Sequence, residues 1–179
     1  STEHFGRVAK ISFDAQANEA YVADGYSNKR VAVLDADNGD FKRFWGAYGN
    51  EPDDTNLGRY NPEDPPAQQF RNPVHCAEPS DDGLVYVCDR ANDRIQVFKT
   101  DGTFVMEKFI APLTLGDGAV WDIAFSGDLA QRAAAPAGIL RGAFGIAEDD
   151  PRPHFALLRQ LADRNGLDSN PGIGVLIAA

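Results

Sequence analysis

One stretch of this chain is written twice, and that repeat limits the fold more than any other feature. "ISFDAQANEAYVADGYSNKRVAVLDADNGDFKRF" (Ile11–Phe44) lies over "CAEPSDDGLVYVCDRANDRIQVFKTDGTFVMEKF" (Cys76–Phe109) at an offset of 65 and then 64 residues. Tyr21, Val22 and Asp24 match Tyr86, Val87 and Asp89; Asn28 matches Asn92, and Arg30-Val31 matches Arg94-Ile95. Period-two alternation with β-branched and aromatic residues, broken by Asn-Gly and Asp-Gly turns, predicts a meander of short antiparallel strands. A recurring four-strand unit of about 40 residues is the size of a propeller blade. The expected fold is therefore all-β: a partial β-propeller with four-stranded antiparallel blades over Gly6–Phe44 and Phe70–Phe109. The proline- and acid-rich segment between them, Glu51–Pro73, cannot continue a sheet and reads as a long exposed loop.

A third copy begins and then stops. "GAVWDIAFSGDLAQR" (Gly118–Arg132) has the right opening, but "AAAP" stands where the Tyr-Val-x-Asp signature should recur. The division expected is thus 1–132 for the blades and 133–179 for a divergent C-terminal segment. In that segment Phe155, Leu158, Leu161 and Ala162 fall at helical spacing, with Gly166 placed to end a short helix. The tail "GIGVLIAA" is apolar enough to need a partner surface. Two blades and a fraction cannot close a ring of the usual four or more, so self-association or an exposed edge near Ala133 is expected. The chain opens at Ser1 with no methionine or leader pattern, which fits a processed chain or a fragment and leaves the compartment open.

Charge narrows the partners. Asp plus Glu number 27 against 17 Lys plus Arg, a net charge of −10, which disfavours a nucleic-acid backbone. No apolar run approaches the roughly 20 residues of a spanning helix, so no membrane partner is expected. Cys76 and Cys88 are too few for a disulfide framework. A two- or four-residue turn at "SDDG" would put them on opposite sheet faces, which predicts two free thiols.

Strand ends single out three residues. In an antiparallel hairpin the start of the first strand and the end of the second lie together. His75 opens the innermost strand of the second copy, Arg90 follows its second strand, and Tyr26 sits past Asp24 in the first copy. All three should meet at one rim, near the central channel, on loops held by rigid strands. Plainer roles stand beside these: a hydrogen-bonded structural histidine, an arginine tying down its loop as Arg30 and Arg94 do, a tyrosine packing across a turn. Asp24 and Asp89 suit hydrogen bonds to their own turns' backbone. Trp45 and Trp121 read as core or sheet-face residues.

The "YVADGYSNKR" and "VYVCDRANDRIQVF" segments resemble NHL-repeat six-bladed propellers, and most of all the peptidyl-α-hydroxyglycine α-amidating lyase family. The resemblance spans about Gly6–Asp128. It implies zinc held by three histidines from different blades, a catalytic tyrosine in a "DGY" turn and a catalytic arginine in a "DR" turn. By motif position His75 is similar to a zinc ligand, Tyr26 to the tyrosine and Arg90 to the arginine. His4 and His154 match no ligand position, and Asp122 stands where His75 would recur. The chemistry implied is cleavage of a peptidyl-α-hydroxyglycine to a peptide amide and glyoxylate, with a secreted or extracytoplasmic setting. The rival is a non-catalytic propeller binding protein or carbohydrate on the same face. A calcium-dependent lactonase-type propeller is a third reading, although the convergent acidic ligands it needs do not assemble in this sequence. The acidic loop Glu51–Asp64 offers carboxylates for calcium but lacks EF-hand spacing and reads rather as a solvated loop.

Overall fold

Alternation along each repeat becomes two sheets that bury both sides of the second copy. The computed structural model describes residues 2–80, 83–125 and 175–178. The first repeat forms strands β1 (Lys10–Asp14), β2 (Glu19–Asp24), β3 (Arg30–Asp35) and β4 (Phe41–Trp45), antiparallel neighbours in that order. The second forms β5 (Val74–Pro79), β6 (Leu84–Asp89), β7 (Arg94–Lys99) and β8 (Phe104–Phe109) in the same order. These are two propeller-like four-stranded blades, as the sequence predicts.

The seam between the blades is the main core. Tyr21 and Ala23 pair with Val33 and Val31 in register, so their side chains share one face of the first blade. With Trp45 they pack against Phe70, Val74, Ala77, Val85, Val87 and Phe98 of the second. Phe98 sits at its centre, its ring 5.8 Å from Trp45 and 6.3 Å from Phe70. On the other face of the second blade Cys76, Tyr86, Cys88, Ile95 and Val97 pack against Ala119, Val120 and Ile123. Trp45 is thus a core residue, whereas Trp121 is 37% exposed and lies at the rim.

A repeated polar staple closes one end of each blade. Asp24 Oδ1 accepts from the Gly6 amide, and its Oδ2 from Asn28 Nδ2 and Arg30 Nε, at 2.7, 2.7 and 2.9 Å. Asp89 repeats this with the Arg71 amide, Asn92 Nδ2 and Arg94 Nε at 2.9, 2.7 and 2.7 Å. The carboxylates therefore do not serve their own turns' backbone, which was the role the sequence suggested. Each is fully buried, and its lone pairs are used to fasten the incoming chain to the turn's Asn and Arg. At the opposite end, Arg43 bonds both Glu19 oxygens and the Thr100 carbonyl, joining the first blade to a turn of the second.

The cysteines correct the sequence reading: Cys76 and Cys88 form a disulfide. Ser80 N donates to the Leu84 carbonyl at 2.8 Å and Gly83 takes φ +79°, so the connection is a three-residue loop with glycine in the left-handed region. An odd loop makes Cys76 and Cys88 direct partners, with Cα atoms 4.8 Å apart.

The third copy yields β9 (Asp122–Phe125), which pairs antiparallel with β10 (Val175–Ala178). The partner surface for the apolar tail is thus the strand that opens the third copy. The expected helix near Phe155–Ala162, the 132/133 boundary and the edge at Ala133 lie outside the described residues. The loop Glu51–Asp64 is fastened through its backbone. Lys29 Nζ donates to the Asp54 and Thr55 carbonyls, and Arg71 to those of Leu57 and Gly58. No described helix is long and apolar enough to cross a membrane.

Candidate functional site

Three backbone features bring the rim residues together. A β-bulge is the first: Val74 pairs with Asp89 and Cys76 with Cys88, leaving His75 as the extra residue. Bulges re-aim side chains, and this one directs His75 out of the ladder. Close approach at Gly25 is the second, since a Cβ there would lie 1.9 Å from the Val74 carbonyl oxygen. Only glycine lets the turn carrying Tyr26 cross the start of β5. Asn72 Nδ2 also holds the Tyr26 carbonyl at 2.9 Å. Third, Arg90 opens a 3-10 turn, Arg90–Asn92, ended by Asp93 in the left-handed region at φ 51°.

The side chains form a line: Tyr26, His75, Trp121, Arg90. Tyr26 Oη stands 3.3 Å from His75 Nε2. His75 Nδ1 lies 2.5 Å from the Trp121 carbonyl. A carbonyl only accepts, so Nδ1 carries a proton, and in the neutral ring Nε2 presents its lone pair. Tyr26 is then the donor in its bond to Nε2. The Arg90 guanidinium lies over the Trp121 ring, 4.1 Å from its centre, and Arg90 Nε donates to the Asp117 carbonyl at 2.7 Å.

The three residues expected to converge do so through Trp121, which sequence reasoning assigned to packing. No pattern marked it, since its position precedes the strand of a copy that breaks down. Asp93 ends the turn that carries Arg90. Its Oδ1 accepts from the Ala119 amide at 2.6 Å, and its Oδ2 is buried with no hydrogen-bond partner among the described residues. Burial pushes this carboxyl up to about 6.

A zinc ion fits this site in part. His75 Nε2 has the tautomer of a metal ligand, its other nitrogen held by a carbonyl. His4 is elsewhere, at the outer rim beside Arg30 and Phe44. The grouping of Cys76, Glu78 and Asp122 includes a disulfide sulfur and offers no thiolate. A catalytic zinc takes three protein ligands, and the described residues supply one.

No family model matches the chain. It is 35% identical over 106 residues to peptidyl-glycine alpha-amidating monooxygenase B of Xenopus laevis, a match covering 59% of this chain and 11% of that protein. Over 106 residues it is 33% identical to peptidyl-glycine alpha-amidating monooxygenase A of Xenopus laevis, covering 59% of this chain and 10% of that protein. The chain therefore spans about a tenth of the length of these curated relatives.

Proposed function

We propose that this rim is a lyase site of the peptide-amidating type, acting on a peptide that ends in α-hydroxyglycine. The observation that carries the reading is the convergence of Tyr26, His75 and Arg90, residues remote in sequence, within a chain similar to amidating enzymes. Its Nη donors let Arg90 bind the terminal carboxylate in a bidentate manner. Released from its bond to His75 Nε2 and with its own proton lost to water, Tyr26 takes the hydroxyl proton as phenolate; the carbon–oxygen double bond forms while the carbon–nitrogen bond breaks. The amide nitrogen keeps that electron pair and takes the proton back from Tyr26, leaving peptide amide and glyoxylate. A zinc ion with His75 Nε2 as one ligand would supply positive charge for the substrate hydroxyl, its remaining ligands coming from outside the described residues. The disulfide supports an oxidising, extracytoplasmic setting.

The test is glyoxylate release from an α-hydroxyhippurate probe, with zinc content measured on the same preparation. Activity that falls at least 100-fold in Tyr26→Phe, with the fold retained, supports the reading. Absence of both turnover and zinc in the unmutated chain overturns it.

A further inference from the structure

We propose that Asp117–Trp121 is a clasp and that Trp121 is the positioning residue of the site, aiming Arg90 at small carboxylates. The naming of the ligand rests on the lyase reading above; the clasp itself rests on geometry. The five residues are fixed at nearly every step. The Asp117 carbonyl accepts from Arg90 Nε, and the Gly118 carbonyl accepts from Trp121 Nε1 at 3.0 Å. Ala119 N donates to Asp93, while Ala119 and Val120 are buried against the disulfide-bearing face of the second blade. The Trp121 carbonyl then accepts from His75. Gly118 takes φ +83°, and a Cβ there would come 2.0 Å from the Arg90 carbonyl oxygen, so the clasp is seated directly on the arginine's turn.

Arg90 is left in an unusual state. Its side chain is only 9% exposed, yet neither Nη makes a hydrogen bond within the described residues. The Asp117 carboxylate stands 4.0 Å from Nη2, too far for a hydrogen bond, and is itself largely exposed. A largely buried guanidinium whose Nη donors are unused among the described residues invites a planar anion, and Asp117 is easily displaced into water. Stacking on Trp121 removes the rotamer freedom that Arg90 would otherwise lose on binding. Because the indole holds Arg90 and the backbone carbonyl holds His75, substitution of the Trp121 side chain separates the two effects.

Glyoxylate binding measured by calorimetry tests the clasp without turnover. The chain has two tryptophans, and Trp45 is buried in the blade seam, so an emission change on adding glyoxylate reports Trp121. Trp121→Leu should weaken binding roughly tenfold, as loss of a desolvated cation–π stack implies. Trp121→Phe should recover most of it, and Arg90→Lys should not bind measurably. Thermal unfolding of each variant separates lost binding from lost fold. Carboxylate binding that depends on Trp121, with neither glyoxylate release nor zinc in the unmutated chain, sustains the clasp and sinks the lyase. Equal binding by the unmutated chain and folded Trp121→Leu, or no binding by the unmutated chain, overturns the clasp.

Discussion

At the scale of single residues, His75 carries the sharpest expectation. A bulge and a carbonyl together decide which of its nitrogens is protonated. Nitrogen-15 spectra of the neutral ring, one of three histidines, should show the proton on Nδ1; a proton on Nε2 would remove the site's geometry. Glu19 offers a test by titration. The Arg43 hydrogen bonds hold its carboxyl down at about 2, against about 4.3 when unfolded. A depressed folded value gives stability that is complete above the unfolded value and is lost as pH falls toward 2. Urea unfolding should therefore weaken from about pH 5 downward, and Glu19→Gln should flatten that slope. For Asp93, raised to about 6, the sign reverses: stability falls as pH climbs from about 4 through 6. The loss should vanish in Asp93→Asn; a slope unchanged in that variant would assign it to other groups.

At the scale of elements, both blades were legible because period-two alternation and Gly turns are local signals, whereas the strands begin at Lys10 and Val74, four residues inside the expected starts. The same logic placed Tyr26, His75 and Arg90 at one rim. Two devices escaped it. The bulge at His75 depends on register, and the loop after Ser80 depends on Gly83 adopting φ +79°, so its parity stayed hidden and the disulfide with it. Trp121 was missed because its role is set by the surface its turn covers, which no neighbour in sequence reveals. The Gly25 turn makes an element-level prediction. A Cβ 1.9 Å from a backbone oxygen has no flexible neighbour to displace, so Gly25→Ala should cost about 3 kcal/mol or more in denaturant unfolding. It should also part Tyr26 from His75, visible as loss of the Nε2 hydrogen bond. A cost under about 1 kcal/mol would show that the turn can lift away freely.

At the scale of the whole molecule, the blades share one core and should fail together. Phe98→Ala leaves a cavity among Trp45, Phe70 and Phe104 and should cost about 3–5 kcal/mol. Unfolding followed at tryptophan and by far-ultraviolet dichroism should still coincide; separate transitions would show blades that fold independently. The edge strand β1 meanwhile shows Phe13 at 65% and Ile11 at 50% exposure, on the side away from the second blade. The two seams of the molecule are not built alike, although the repeats that make them are. At the first, the missing side chain belongs to the turn of the earlier blade, Gly25; at the second, that position is Arg90 and the missing side chain belongs to the later segment, Gly118. The blades are therefore spelled with one grammar but are not interchangeable words. A duplicate of the second set in place of the first would thrust an arginine into Val74, so the order of the repeats is enforced by shape as well as by linkage.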